Sequence, residues 1–393
     1  MKFLEEIDVK GKTVFLRVDF NVPLDENLNI RDDTRIKASL PTINYLLQKG
    51  AKLVVASHLG RPKGQFNPRM SLKPVAARLG ELLSGTRIIT APDVIGPEVD
   101  RLKSGLKDGE LLLLENVRFY KQETDNDPEF SQKLAEGCQL FVNDAFGSCH
   151  RAHASVVGIA SFISEKAAGY LLKKEVDYLR KITDRPEKPF VAILGGAKIE
   201  DKIPVLESLI NKADALLIGG AMAYTFLRAR GLQVGKSLVE EDKLDIAGQI
   251  MKKAEENRVK LLLPLDHVLA PSIDSREAAA VAEGYPLPEN LMGVDIGPKT
   301  VAEYRNLIKS ARTIFWNGPL GVFEVEAFAR GTVEIARAVA ESGSLSVVGG
   351  GDSIAAIQKA GVTAKISHIS TGGGASLEFV AYGTLPGIKS LEE

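Results

Sequence analysis

Cysteine is nearly missing from this chain: Cys138 and Cys149 are the only two in 393 residues. That excludes a disulfide-built scaffold and any CxxC metal or redox pair, and suits two packing thiols in a reducing compartment. Long apolar runs are also lacking. Leu111 to Leu114 and Ala215 to Ala223 fall well short of the roughly 20 residues that span a bilayer. Neither charge prevails, since 50 Lys and Arg face 51 Asp and Glu for a net charge of -1. There is therefore no global pull toward nucleic acid or an anionic membrane, and any anion site must be local. The opening Met1 to Asp8 carries acids where a signal peptide needs an apolar stretch, so no export is expected. Two familiar nucleotide signatures are absent as well. Gly231 to Ser237 lacks one residue of the P-loop spacing, and neither Gly349-Gly350-Gly351 nor Gly372-Gly373-Gly374 completes G-x-G-x-x-G, which argues against a dinucleotide dehydrogenase.

What is present is an alternation of short apolar runs with amphipathic segments, the mark of βαβ units and a parallel sheet. Strands are expected at 13–20, 52–57, 87–90, 111–115 and 140–144, with helices starting near Asp33 and at Ser71. A helical period runs from about Glu165 to Thr183 and ends in the proline-bounded charged segment Asp184 to Pro189, the best candidate for a domain boundary. Strands resume at 190–194, 215–218, 261–265, 313–316, 345–348 and 366–369. The expected fold class is thus α/β, with two doubly wound parallel-sheet (Rossmann-like) domains joined by a helix.

Open parallel sheets bind ligands beyond the carboxyl ends of their strands, where turns and helix amino termini converge. In the first half those ends carry Asp19 and Asn21, His58 and Arg61, Arg118, and Arg151, with Arg35 at a helix start. One arginine at such a place reads as a solvated loop residue. Four at equivalent places read as a pocket for a small, multiply charged anion, because guanidinium forks match phosphate and carboxylate oxygens. In the second half the strands end in glycine instead: Gly195-Gly196-Ala197-Lys198, Gly219-Gly220, Asn317-Gly318, Gly349-Gly350-Gly351-Asp352-Ser353 and Gly372-Gly373-Gly374. Glycine permits close backbone approach to phosphate, so five such turns suggest a nucleotide site. Lys198 and Lys202 flank a helix start and Asp352 stands where a magnesium ligand fits, although the lysines equally suit a solvated helix face and Asp352 an N-cap.

The segments Arg17 to Pro23, Ser57 to Pro62, Glu115 to Phe119, His150 to Ser155, Gly195 to Lys198, Trp316 to Pro319 and Gly350 to Ser353 together resemble the phosphoglycerate kinase family, from the first strand to Gly387. The resemblance implies Mg-dependent phosphoryl transfer between 1,3-bisphosphoglycerate and ADP, giving 3-phosphoglycerate and ATP. It implies a glycerate-binding domain over 1–168 holding substrate through Asp19, Asn21, Arg35, His58, Arg61, Arg118 and Arg151. It further implies an interdomain helix and linker over 169–189 and a nucleotide domain over 190–370. A hinge and helix follow at 371–384, and residues 385–393 return to the first domain. Around MgATP or MgADP it places Gly196, Ala197, Lys198, Lys202, Gly220, Gly293, Asn317, Glu324, Gly350, Gly351, Asp352 and Ser353, with Asp352 on the metal. Arg35 and Lys198, helped by the amides of Gly372 and Gly373, would stabilise the migrating group. A cytoplasmic monomer with no nucleic-acid or membrane partner is expected. Another acyl-phosphate kinase, or a silent nucleotide-binding protein, are the alternatives. Ala221 departs from a third glycine, and 271–288 and 380–383 diverge from the family pattern.

Overall fold

The computed structural model describes all 393 residues, which divide into two compact units: Met1–Asp177 with Thr384–Glu393, and Tyr178–Gly383. In the first unit six strands, β1 (Thr13–Arg17), β2 (Lys52–Ala56), β3 (Ile88–Thr90), β4 (Leu111–Leu113), β5 (Leu140–Asn143) and β6 (Glu165–Ala168), form one sheet in the order β3-β4-β2-β1-β5-β6. Every pairing in it is parallel. Val14, Phe15 and Leu16 on β1 and Leu53, Val54 and Val55 on β2 are wholly buried, as strands covered by helices on both faces require. The order reverses between β1 and β5, so the crevice beyond their carboxyl ends is the switch point where such sheets bind ligands.

The second unit repeats this plan. Strands β7 (Phe190–Leu194), β8 (Ala215–Ile218), β9 (Lys260–Leu262), β13 (Thr313–Asn317), β14 (Leu345–Gly349) and β15 (His368–Ile369) lie in the order β15-β14-β13-β7-β8-β9, with the switch point between β7 and β13. Between β9 and β13 the chain inserts a three-stranded antiparallel sheet, β10 (Asp266–Ala270), β11 (Ala280–Glu283) and β12 (Met292–Ile296), ordered β11-β10-β12. Trp316 on β13 is fully buried, and its Nε1 donates to Gly318 O at 2.8 Å. The indole thus fixes the turn that follows its own strand.

The helix expected from Glu165 begins later. Residues 165–168 are β6, pairing with β5, and the helix runs Tyr170–Thr183. Its amino terminus is capped from a distance: Asp144 Oδ1 accepts from Leu171 N at 2.8 Å and Leu172 N at 3.2 Å. Gly169 is obligatory at the junction, since a Cβ there would sit 2.2 Å from Asp144 Oδ1. The helix expected at Ser71 likewise starts at Lys73, and Glu115 Oε1 accepts from Leu72 N at 2.8 Å while Ser71 Oγ donates to Glu115 Oε2 at 2.6 Å. Two helix starts are therefore held by carboxylates far away in sequence, which suits the positive end of the helix dipole.

Candidate active site

At the first switch point a strand-end arginine is swallowed whole. Arg17 closes β1 with no exposed surface; its Nε donates to Ser155 Oγ at 2.8 Å, its Nη1 to Val18 O, and its Nη2 meets His58 Nδ1 at 3.3 Å. Ser155 in turn donates from Oγ to Glu123 Oε1 at 2.6 Å, and its amide donates to Glu123 Oε2 at 2.9 Å. Arg17 and the wholly buried Glu123 are thus opposite charges joined through a serine, the condition under which buried charge is tolerable. Burial pulls the Arg17 guanidinium down from its usual range, and Glu123 opposes that pull. With each of its three guanidinium nitrogens bonded inside the chain, Arg17 serves as scaffold.

The groups set on this scaffold are those the strand ends pointed to. Arg35 Nη1 reaches Asp19 Oδ2 at 2.7 Å, Asn21 Oδ1 accepts from Gly60 N at 2.8 Å, and Arg118 Nη1 donates to Gly60 O at 3.1 Å. Arg61 lies exposed just after Gly60, and Arg151 is exposed beyond β5. Arg35, Arg118 and Arg17 all depress His58, whose pKa burial already drives well below the usual histidine range. Burial, then Arg118, Arg17 and Arg151, takes His153 down to about 3. Burial and then Arg17 lower Arg118 to about 10, which leaves it cationic at neutral pH. The positive charge here is therefore guanidinium charge, while His58 and His153 are neutral hydrogen-bonding walls. Arg118 Nε, His150 Nδ1 and His153 Nδ1 are all buried without a hydrogen-bond partner. A buried guanidinium N–H or imidazole nitrogen left unpaired in this way is costly unless a ligand satisfies it.

At the second switch point the glycines pack backbone against backbone. Gly196 N donates to Pro319 O at 3.0 Å, Gly220 N to Leu320 O at 2.9 Å and Met222 N to Gly196 O at 3.0 Å. A Cβ on Gly195 would sit 2.0 Å from Pro319 O, and one on Gly318, at φ +91, 2.2 Å from Gly195 O. The amides of Gly196 and Gly220 are thus spent on neighbouring turns. The helix Gly351–Lys359 begins directly after Gly350, and first-turn amides of a helix have no intrahelical acceptor. Asn317, almost fully buried, donates from Nδ2 to Gly349 O at 2.8 Å and accepts Lys202 Nζ on Oδ1 at 2.6 Å. Burial lowers the Lys202 pKa, against the pull of Asp201 and Asp352. Ser353 Oγ accepts from Gly318 N at 2.6 Å. Lys198 is exposed, as is Asp352. Gly373, at φ +53, stands before the helix Gly374–Tyr382, and Gly372 N donates to Ser370 Oγ at 3.2 Å.

Beside this cluster lies a cavity of about 320 Å³ whose wall includes Gly196, Ala197, Gly220, Gly293, Glu324 and Asp352. Six of the residues expected around a nucleotide thus share one wall, with Lys202, Asn317 and Ser353 in the hydrogen-bonded cluster at the strand ends. Sequence reasoning missed the apolar part of the cavity: Tyr224, Leu238, Pro264, Ile273, Met292 and Leu320. Leu238 and Ile273 line it while remaining 48% and 53% exposed, a clue no periodicity carries. Ala221 also lines it and sits at φ -64, so this position makes no demand for glycine. A larger cleft, about 750 Å³, is walled mainly by the helices Pro298–Ser310 and Arg330–Glu341, and none of the residues expected around a nucleotide lines it. Glu123, Ser155 and His153 were missed in the first unit, because an acid within a short helix and a serine in a loop show nothing of the buried arginine they serve.

Arginine-rich strand ends on one parallel sheet and a glycine-walled cavity on another suit a phosphotransferase of the kinase class. Comparison with known proteins narrows this. The family model described as phosphoglycerate kinase matches residues 4–382. The chain is 55% identical to a phosphoglycerate kinase of Anaeromyxobacter sp. (strain Fw109-5), over 100% of this chain and 99% of the relative. It is 53% identical to a cytosolic phosphoglycerate kinase of Triticum aestivum, covering 99% and 98%. Among solved structures, phosphoglycerate kinase from Coxiella burnetii superposes with a TM-score of 0.90 at 41% identity, covering 99% of this chain and 98% of that one. The enzyme from Pyrococcus horikoshii OT3 gives 0.84 at 37% identity, covering 100% and 98%. The chain belongs to the phosphoglycerate kinase family. No helix in it is long and apolar enough to cross a membrane.

Proposed function

We propose that the chain transfers a phosphoryl group reversibly between the carboxyl phosphate of 1,3-bisphosphoglycerate and ADP, yielding 3-phosphoglycerate and ATP. The observation that carries this reading is the trio of unpaired buried nitrogens, Arg118 Nε, His150 Nδ1 and His153 Nδ1, beside Arg35 and Asp19. A phosphoglycerate offers acceptor oxygens to Arg118 Nε–H and the neighbouring guanidinium groups, and both acceptors and a hydroxyl donor to the imidazole nitrogens. Asp19, Asn21, Arg35, His58, Arg61, Arg118 and Arg151 hold the glycerate. Lys198, Lys202, Asn317, Glu324 and Gly350 to Ser353 surround the nucleotide, whose base lies against the apolar wall of the cavity.

No general base is required. The attacking carboxylate of 3-phosphoglycerate is already ionised at neutral pH, so the chain needs only to align the reactants and neutralise charge spreading over the transferring oxygens. Arg35 and Lys198 meet that need, with the amides of Gly372 and Gly373. Magnesium fits the residues present: no cluster of three or more His, Cys, Asp or Glu forms a protein cage, and this ion is commonly held by one or two carboxylates together with phosphate oxygens and water. Asp352 is the carboxylate that would hold it, and the ion would offset phosphate charge there. Substrates on separate sheets react only if closure of the two units excludes water. We further propose that the protein works as a cytoplasmic monomer, with neither nucleic acid nor membrane as a partner. A coupled assay with 3-phosphoglycerate and MgATP tests the reaction. Turnover with 3-phosphoglycerate and none with acetate is expected; equal turnover with acetate refutes the substrate assignment.

A further inference from the structure

The antiparallel insert carries a buried histidine that touches neither the cavity nor any charged group by hydrogen bond, and its geometry is that of a clamp. His267 on β10 has no exposed surface; its Nδ1 lies 3.0 Å from Tyr224 Oη and its Nε2 2.7 Å from Tyr285 Oη. Tyr285 Oη donates to Pro264 O at 3.3 Å. One arrangement of protons satisfies the chain. Tyr285 spends its only hydrogen on Pro264 and so accepts from His267 Nε2–H; the bare Nδ1 then accepts from the Tyr224 hydroxyl. A neutral imidazole is required, and burial lowers the His267 pKa to about 4.

The two ends of this chain of bonds, Tyr224 and Pro264, both line the 320 Å³ cavity, whereas His267 and Tyr285 do not. Tyr224 also presses on Gly293, where a Cβ would fall 1.6 Å from its hydroxyl, so a shift of the phenol would displace a second stretch of wall. We infer that His267 and Tyr285 are positioning residues for nucleotide binding, tying the Tyr224 wall to the Pro264 wall so that the apolar end of the cavity keeps one width. This rests on the nucleotide reading of that cavity given above.

The test measures MgADP affinity by calorimetry, and kcat with KM for each substrate, in the full-length protein. His267→Phe keeps a flat ring and removes both hydrogen bonds. It should weaken MgADP binding and raise the nucleotide KM roughly tenfold, the scale of one lost buried hydrogen bond, with kcat and the phosphoglycerate KM within about twofold. His267→Gln, whose amide can accept from Tyr224 and donate to Tyr285, should recover most of the loss. Tyr285→Phe, at a half-buried position, decides the matter if His267→Phe does not fold. Wild-type MgADP affinity in the folded variants, or equal rises in both KM values, overturns the inference. Failure of the wild-type protein to bind MgADP overturns the nucleotide reading and the inference with it.

Discussion

Arg35 Nη1 sits 2.7 Å from Asp19 Oδ2, with the arginine side chain 36% exposed and the aspartate only 10%. The carboxylate holds the guanidinium by Nη1 while the side chain keeps solvent access, which would orient the arginine for the anion proposed above. Arg35→Ala should lower kcat by roughly 10³, the lower end of what a transition-state arginine contributes in other phosphoryl-transfer enzymes. MgADP affinity should be unchanged. Steady-state kinetics with calorimetry checks both, and near-normal turnover would remove Arg35 from the reaction.

Asn317 couples Lys202 to Gly349 inside the second unit. Asn317→Ala leaves an ammonium and a carbonyl without their partner in a largely buried place. A loss of about 1–3 kcal/mol in stability is expected, together with a raised nucleotide KM. Lys202→Met, which keeps the stem and removes the charge, should raise the nucleotide KM with a smaller stability change. Chemical denaturation and kinetics on the two variants separate the effects.

Asp144 is fully buried, one of its oxygens lacks any partner, and burial raises its pKa to about 7 despite the bonds it accepts from Leu171 and Leu172. The sign follows from linkage. The native carboxyl holds its proton to a higher pH than the unfolded one, so its contribution to stability is complete below about pH 4 and is lost as pH rises toward 7. Relative to wild type, Asp144→Asn should therefore gain stability across that window, by up to about 1.4 kcal/mol per pH unit. Urea titrations of both proteins at pH 5 and pH 8 provide the comparison; a pH-independent difference contradicts it.

The glycines of the second unit divide into two kinds. Gly318→Ala forces a Cβ to within 2.2 Å of Gly195 O at a positive φ, and a loss of more than about 4 kcal/mol or failure to fold is expected. Gly351→Ala meets nothing within 4 Å and should leave the melting temperature unchanged. A melting experiment that ranks the two equally would show the turn packing to be unimportant.

Except for β6, the strands of both sheets could be read because buried parallel strands are continuous apolar runs, and β7 and β8 begin and end where the pattern said. The arginines proposed to hold the anion stood out in the sequence because Arg61, Arg118 and Arg151 lie a few residues past such runs and Arg35 at a helix start. The antiparallel insert could not: β11 is Ala-Val-Ala-Glu, mostly exposed, and offers no apolar run to detect. Nor could β6, whose Glu165 and Lys166 continue the charge pattern of the following helix while their backbone pairs with β5. The glycine-rich turns were legible as strand ends. Whether each glycine yields to a ligand or to a neighbouring carbonyl depends on contacts between segments as distant in sequence as Gly195 and Gly318.

The first unit is not a continuous stretch of chain. Gly387 N donates to Cys149 O at 2.9 Å, and Ser390 Oγ donates to Val156 O at 3.3 Å. Translation proceeds from the amino end and domains generally fold as they emerge. Here residues 1–177 leave the ribosome long before the segment that seals them against solvent beside Cys149. The nascent first unit must wait, with that seam open, while the entire second unit is made.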